Sequence, residues 1–414
     1  MGSFASRAME AAPRFVSESL MRALALVVPA LDITTGRPDS RDPPGWAEAR
    51  GFVAFLASLP DDELARCEAE GLAARLPTLA GAPPSLVALG RAALEVAALP
   101  ERLAASSGTR LDRPRRVSER KKRQLEALLD AVEPLAERAR RIVDVGAGRG
   151  HFTRLAAEMF DRDALGIERE PGRVEAATLL GQGTRARFVV LDALRDPLVF
   201  SPDDLAVGLH ACGSLGDRLV VEAARAPCDV TLVSCCLQKI DEPARVALSV
   251  HAREAGLVLP REALGLSNLT TRLVGVEASL AEMLAARKNR YALGRLLRAR
   301  GVPITPGEEM RGINRRRARE GLAELAARAL ALRGLAPATA AEIHEHEAES
   351  VIEFDRIRRW TLPRSMLARP LEIAVVLDRA AALEERGYVV RVAEVFEADA
   401  TPRNLAILGE APRD

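Results

Sequence analysis

The sequence predicts an α/β fold built on a parallel sheet, and two observations lead to this prediction. Between residues 141 and 239, apolar runs of strand length alternate with amphipathic segments of helix length, a pattern typical of βαβ units. The first apolar run leads into glycines at alternate positions, Gly146, Gly148 and Gly150. A run of this kind, followed by a helix, indicates a buried strand, a tight turn and a helix N-terminus that points at a ligand.

The elements follow one another in order along this segment. We predict strands at 142–145, 164–168, 187–191, 205–210 and 229–234, and helices between them at 151–160, 171–181 and 215–226. Near the end of the chain, a helix at 370–386 precedes two more strands, in YVVRVAEVF and RNLAIL. The long segment between these two parts breaks the alternation.

The chain of 414 residues is long enough for two or three domains. Helix-spaced apolar positions, separated by proline- and glycine-rich breaks, fill the first hundred residues. We predict four segments: a helical accessory domain at 1–108, a basic hinge and leading helix at 109–140, a sheet domain at 141–239 and 366–414, and a mostly helical insertion at 240–365.

The composition indicates a soluble globular protein. Hydrophobic residues make up 48% of the chain and the formal net charge is +1. The sequence has no run of about 18 uncharged apolar residues, so we expect no membrane span. Its five cysteines form no disulfide framework or C-x-x-C pair, and the N-terminus lacks the pattern of a secretion signal. These features favour a cytoplasmic protein.

The residues around the glycine turn indicate what kind of ligand it holds. Asp144 stands two positions before Gly146, and Ala147 lies within the turn. Gly150 comes two positions after Gly148, whereas a dinucleotide fold needs three so that the helix start can hold a pyrophosphate. An acid at this place suits a cationic ligand better than a pyrophosphate.

Glu168 and Asp192 end the next two predicted strands. In nucleoside-binding α/β folds, an acid at the place of Glu168 accepts hydrogen bonds from both ribose hydroxyls. Asp192 can accept from an adenine amino group while the backbone amide of Ala193 reaches a ring nitrogen. The structural alternatives are a surface glutamate at a strand end and an aspartate that caps a helix. The ordered set of three acids predicts a cofactor with a free amino acid, a ribose and an adenine but no phosphate.

The fourth and fifth strands end in GLHACGSLGD and VSCCLQK, which bring His210 and Cys212 near Cys235 and Cys236. Three interpretations stay open. The thiols are small apolar groups packed at strand ends, or they line a substrate pocket in which His210 is a polar contact or general base, or one histidine and several cysteines bind zinc. We assign no metal from the sequence, because the spacing matches no zinc pattern.

These segments together resemble known proteins. VDVGAGRGHFTRLA is similar to motif I of class I S-adenosylmethionine (AdoMet) methyltransferases. With VSERKKRQLEALL, GLHACGSLGD, VSCCLQK and the C-terminal LARPLEIAVVLDRAAALEERGYVVRVAEVFEADATPRNLAIL, it resembles the methyltransferase-domain family that includes methyltransferase-like protein 25. More distantly, the strand endings are similar to those of tRNA methyltransferases that modify a ribose 2′-hydroxyl in the acceptor stem. The similarity covers roughly 117–240 and 368–408.

The resemblance implies a Rossmann-like class I methyltransferase sheet with an antiparallel last strand, and S-adenosyl-L-methionine as the cofactor. It also implies that Lys121, Lys122 and Gln124 line the entrance to the site, the alternative being a solvated basic helix start. The chain departs from the family at Ser214, where relatives have an acid, and in the Leu-Gln after the cysteine pair. These departures concern the substrate and not the cofactor.

The predicted acceptor is RNA, held by two basic segments. Residues 110–123 carry eight basic residues against two acidic ones, and residues 285–320 carry eleven against three. Aromatic residues are only 3% of the chain, so stacking platforms for bases are scarce. A protein or small-molecule acceptor, and a non-catalytic binding module on the same fold, are alternatives. The glycine spacing disfavours a nicotinamide-dependent oxidoreductase.

Overall fold

The computed structural model describes residues 16–36, 38, 42–103, 119–209, 211–270, 279–305, 307–397 and 403–413. The candidate base His210 and the hinge residues 110–118 lie outside the described residues. Within the described ranges, no helix has both the length and the apolar composition that crossing a membrane requires.

The first half of the chain, up to residue 233, contains the following helices and strands: α1 (Val16–Val27), α2 (Leu31–Thr35), α3 (Gly45–Ala49), α4 (Val53–Ser58), α5 (Asp61–Glu70), α6 (Leu72–Arg75), α7 (Pro84–Ala97), β1 (Glu101–Arg102), α8 (Glu119–Arg138), β2 (Arg141–Val145), α9 (His151–Phe160), β3 (Asp163–Glu168), α10 (Pro171–Leu180), β4 (Ala186–Val190), β5 (Asp204–Leu209), α11 (Ser214–Arg225) and β6 (Asp229–Val233).

The second half contains these elements: β7 (Ala244–Val246), α12 (Val250–Glu254), β8 (Val258–Pro260), α13 (Arg261–Leu264), α14 (Ser267–Thr270), α15 (Leu280–Ala299), α16 (Leu322–Ala331), α17 (Ala340–Met366), α18 (Ala368–Glu384), β9 (Val389–Glu394) and β10 (Leu405–Glu410). Short 3-10 helices lie at Val28–Ala30, Leu76–Thr78, Glu308–Met310 and Arg315–Glu320.

An eight-stranded sheet in the order β1-β9-β10-β6-β5-β2-β3-β4 organises the site. The five strands from β6 to β4 run parallel, and β10 is antiparallel to both β6 and β9. Every residue of β5 and β6 is buried, as expected for central parallel strands covered on both faces. The predicted parallel sheet and its antiparallel last strand are therefore confirmed.

The chain divides into two compact units, and their bounds differ from the predicted segments. The first unit comprises Met1–Thr35, Ala88–Gly275 and Met366–Asp414, and the second Gly36–Val87 and Val276–Ser365. The helix α1 belongs to the sheet unit because the Glu384 carboxylate at the end of α18 accepts the backbone N–H groups of Val16 and Ser17, at 2.9 and 3.0 Å. The four-segment division into domains stays a prediction.

The predicted insertion, 240–365, contains a small sheet that periodicity missed. Strands β7 and β8 pair antiparallel within the first unit. Each is only three residues long, too short for alternation of apolar and polar residues to reveal it. The remainder of the segment is mostly helical, as expected. In the second unit, leucines of α15 and α16 form a separate apolar core.

A buried ion network joins α18 to the strand ends. Arg379, fully buried on α18, donates to Asp217 at 2.7 Å, to the Ser234 hydroxyl at 2.5 Å and to the Gly213 carbonyl at 2.8 Å. Arg245 continues the network by binding both Asp217 and Asp378 at 2.8 Å. Burial acts to raise the pKa of Asp217, but the two guanidinium groups outweigh it, so the pKa is lowered and the carboxyl stays ionised.

We expect Arg379→Met to lower the free energy of unfolding by about 3–5 kcal/mol, because it leaves the Ser234 hydroxyl and the Gly213 carbonyl without their donor and removes one of the two guanidinium groups that bind Asp217. Arg225→Met is the matched control, since Arg225 is 70% exposed in a pair with Glu222 on the same helix as Asp217. It should cost less than about 0.5 kcal/mol. Urea denaturation of both variants measures the difference, and equal losses would contradict the importance of the network.

Candidate functional site

The candidate site lies at the carboxyl ends of the parallel strands. Strand β2 pairs with β3 on one side and with β5 on the other, so the strand order reverses at β2. Open α/β sheets bind ligands at such a switch point, beyond the carboxyl ends of the strands. The described site residues predicted for β2, β3, β4, β5 and β6 lie within the last two residues of these strands or shortly after them, so the sheet brings them to one edge.

The glycine turn after β2 is held against β3 by its backbone. The N–H groups of Gly146 and Ala147 both donate to the Ile167 carbonyl, at 2.9 and 3.0 Å. The three glycines have φ of +82°, +60° and +69°, a region that costs other residues about 1–2 kcal/mol. Helix α9 begins directly after this turn, with Gly150 as its N-cap.

The glycines differ in what surrounds them. A Cβ on Gly150 would lie 2.4 Å from the Phe188 ring, whereas a Cβ on Gly148 would meet nothing within 4 Å. The Phe188 ring is also 2.4 Å from the Cβ position of Gly166 on β3. Gly150 and Gly166 are therefore needed for packing, while the space above Gly148 is open to a ligand.

Asp144 is a buried carboxylate below the turn. The Thr153 hydroxyl of α9 donates to its Oδ2 at 2.6 Å. Burial raises the pKa of Asp144 to about 6, while the Thr153 hydrogen bond and the Lys121 ammonium act in the opposite direction. Burial likewise lowers the pKa of Lys121, and Asp144 and Cys235 oppose that shift. Lys121 thus interacts electrostatically with both Asp144 and Cys235.

Glu168 is fixed at the end of β3 by backbone amides. Its Oε2 accepts from the N–H of Gly148 at 3.0 Å and its Oε1 from the N–H of Glu170 at 3.1 Å. The residue is only 8% exposed, so it is not the surface glutamate of the structural alternative. Its position beside the open glycine suits the predicted contact with a ribose.

Asp192 caps the turn that follows β4. Its Oδ1 accepts from the Leu194 N–H at 3.0 Å, and its own N–H donates to Asp196 at 2.8 Å. The side chain is 30% exposed, so its capping role does not remove it from solvent. Ala193 beside it is buried. The described residues between β4 and β5 form no helix, so Asp192 caps a turn and not the helix of the structural alternative, and the adenine contact stays a prediction.

Three cysteines meet at the ends of β5 and β6. The Sγ atoms of Cys212, Cys235 and Cys236 all lie within 4.8 Å of one another. Hydrogen bonds from the other two thiols lower the pKa of Cys236, and the Arg403 guanidinium, 3.0 Å from its Sγ, acts in the same direction. The same thiol contacts raise the pKa of Cys235. His210, the candidate base, lies outside the described residues.

Sequence reasoning missed several residues of the site, including Thr153, Phe188 and Arg403. Thr153 gave no signal beyond its place in the first turn of α9. Arg403 stands in the Pro-Arg-Asn that carries the family resemblance, but nothing in the sequence connected it to the cysteines. Of the residues implied at the entrance, Lys122 pairs with Glu126 on α8 at 3.7 Å and Gln124 is buried.

Comparisons with known proteins find similarity in part of the chain. Residues 120–243 match the family model described as a methyltransferase domain. Solved structures of low similarity include a TehB-like SAM-dependent methyltransferase from Corynebacterium glutamicum, with 24% identity over 26% of this chain and 60% of that one and a TM-score of 0.22. The YcgJ protein of Bacillus subtilis has 23% identity over 27% of this chain and 49% of that one, with a TM-score of 0.23. A third is the sugar N-methyltransferase KedS8 from a Streptoalloteichus species, with 19% identity over 33% of this chain and 60% of that one and a TM-score of 0.24.

The chain spans 60%, 49% and 60% of the lengths of these three structures. The family match covers the segment from the start of α8 to the end of the fifth parallel strand and its loop. That segment contains the glycine turn, the three acids and the three cysteines. Residues 120–243 are therefore similar to a methyltransferase domain.

Proposed function

We propose that the sheet unit transfers a methyl group from AdoMet to an acceptor held over the ends of β5 and β6. The observation that carries this proposal is the buried carboxylate of Asp144 beside the open turn at Gly148. A carboxylate is the partner required by the ammonium group of a free amino acid. The spacing of two positions between Gly148 and Gly150 also differs from the three positions of a pyrophosphate-binding turn.

The assignment gives each acid one part of the cofactor. Asp144 binds the amino-acid end, Glu168 the ribose hydroxyls and Asp192, with the Ala193 amide, the adenine. When bound, AdoMet supplies a methyl group whose S–C bond breaks as the acceptor attacks it. The side chains at the ends of β5 and β6 then orient the acceptor, and His210 is the candidate that takes its proton.

RNA stays our predicted acceptor, and the second unit offers one observation that bears on it. Within the described part of the basic segment 285–320, four arginines pair with carboxylates, two of which lie on α17 and two within the segment itself. The pairs are Arg290–Glu309, Arg295–Glu353, Arg300–Glu342 and Arg317–Glu320. Arginines held by carboxylates offer less charge to a phosphate backbone than the sequence count implies. A protein or small-molecule acceptor remains the alternative.

Gly148→Ala should weaken AdoMet binding at least about tenfold, because its Cβ would enter the space that we assign to the cofactor. Gly183→Ala is the matched control, since Gly183 also has a positive φ, +83°, and its Cβ position is also open. Both variants should lose about 1–2 kcal/mol of stability from the backbone strain. Calorimetric titration with AdoMet separates them, and an unchanged affinity in Gly148→Ala would reject the assigned cofactor position.

Asp144→Asn should stabilise the fold at pH 7.5 while it weakens AdoMet binding. The pKa of Asp144 is about 6 in the folded protein and about 3.9 in the unfolded chain. The folded state therefore binds the proton more strongly, so the free energy of unfolding falls as pH rises from about 4 to 6, by roughly 3 kcal/mol. Asparagine does not ionise, so the free energy of unfolding of the variant lacks this fall between about pH 4 and pH 6.

Denaturation between pH 4 and 8, with AdoMet titration at pH 7.5, measures both effects of Asp144→Asn. Asp163→Asn, an exposed acid at the start of β3, is the control and should keep the AdoMet affinity and the falling stability above pH 4. An Asp144→Asn protein that binds AdoMet as well as the wild type would show that this carboxylate does not hold the amino group.

Transfer of label from methyl-labelled AdoMet identifies the class of acceptor. The protein is incubated separately with total RNA, a protein extract and a small-molecule extract, and we expect the label in RNA. A variant that changes three arginines to Glu, namely Arg315, Arg316 and Arg317, should no longer label RNA. The same three residues changed to Gln provide a milder control for charge reversal. Label confined to protein or small molecules would reject RNA, and no label anywhere with intact AdoMet binding would favour a non-catalytic binding module.

A further inference from the structure

Three of the five cysteines of the chain converge on one point. Cys212 follows β5, Cys235 and Cys236 follow β6, and their sulfur atoms lie within 4.8 Å of one another. The other two are placed elsewhere: Cys67 lies on α5 of the second unit, and Cys228 precedes β6 at the opposite end of that strand. The cluster therefore joins the ends of β5 and β6, two strands between which the chain forms the helix α11.

The backbone around these thiols is held in place before any ligand binds. Arg379 bonds the Gly213 carbonyl and the Ser234 hydroxyl, which are the chain neighbours of Cys212 and Cys235. Gly213 has a φ of +52°, and a Cβ there would lie 1.8 Å from the Lys239 carbonyl oxygen. The two loops therefore cannot separate without breaking a buried ion network, which is the kind of rigid support that metal sites require.

The charge beside the cluster also suits bound metal. Three thiolates on a divalent cation carry a net charge of −1, and the Arg403 guanidinium lies 3.0 Å from the Cys236 sulfur. Arg403 is itself oriented by a hydrogen bond to Asn268. A cation at this place would be unfavourable for packed apolar thiols, whereas it stabilises an anionic thiolate group.

The distances fit a borderline-soft cation. Tetrahedral zinc with Zn–S bonds of about 2.3 Å places its sulfurs about 3.8 Å apart, so sulfurs within 4.8 Å need to move by only about 1 Å. A disulfide would use two of the three sulfurs and leave the third, with its cationic neighbour, unexplained. Three protein ligands with a fourth position left open is the arrangement of catalytic zinc sites.

We propose that Cys212, Cys235 and Cys236 form a three-thiolate site for a divalent cation of the zinc class, with its fourth position open to a heteroatom of the acceptor. On binding, each S–H bond is replaced by a metal–sulfur bond and the proton passes to solvent, with no change of oxidation state. The metal site itself does not depend on methyl transfer, and the role of the fourth position rests on the proposed function. This proposed metal site differs from the prediction made from the sequence, which assigned no metal.

Cobalt titration of the full-length protein tests the site. After chelation under reducing conditions, Co²⁺ should produce thiolate-to-metal charge-transfer absorption that saturates at one ion per chain, and Zn²⁺ should displace it. Cys212→Ser, Cys235→Ser and Cys236→Ser should each reduce the band and weaken binding at least tenfold. Arg403→Gln, which keeps all three sulfurs, should weaken binding roughly 10- to 100-fold.

Cys67→Ser and Cys228→Ala are the matched controls, and both should retain the wild-type band. A wild-type protein without the band, or a band that the controls reduce as much as Cys212→Ser does, overturns the site. AdoMet titration of the same metal-free sample keeps the two proposals separate, because loss of AdoMet binding bears on the methyltransferase assignment and loss of cobalt binding bears on the metal site alone.

Discussion

The buried guanidinium of Arg379 is the interaction on which the rest of the sheet unit depends. It reaches from α18 to the ends of β5 and β6, and it shares Asp217 with Arg245. Removing such charges from water is costly, and the cost is offset only when every partner is in place. The network therefore requires the C-terminal segment to return across the long insertion, and this return places β10 beside β6. The two loops that carry the cysteines are fixed by the same interaction.

Close packing of one aromatic ring gives the region around the glycine turn its shape. The Phe188 ring occupies the space in which Gly150 and Gly166 would carry side chains, which brings the turn, β3 and β4 together. The middle glycine, Gly148, is left with open space above it and an N–H directed to Glu168. The alternating glycines are therefore not equivalent. All three have a positive φ, but packing excludes a side chain only at Gly150, whereas the space above Gly148 is open.

The three acids have protein partners before any cofactor binds. Thr153 holds Asp144, two backbone amides hold Glu168, and the Leu194 amide holds Asp192. Fixing them in the absence of ligand reduces the ordering that binding would otherwise require. Fixing the acids in advance is least favourable at Asp144, because burial raises the pKa of its carboxyl to about 6. An ionised carboxylate in that position is a feature that folding alone does not favour.

The sequence by itself determined the succession of strands and helices along the sheet domain, the glycine turn and the three acids, because these are local patterns in which strand periodicity and turn chemistry act over a few residues. It did not reveal β7 and β8, the pairing of α1 with Glu384, or the pairing of Arg295 and Arg300 with carboxylates of α17. Those features depend on residues that are far apart in the chain. The cysteines show the difference most clearly: their types and strand ends were visible in the sequence, but only the tertiary structure placed Arg379 and Arg403 around them. Contacts between distant segments leave no periodic signal, so the acceptor side of the site was decided by packing and not by pattern.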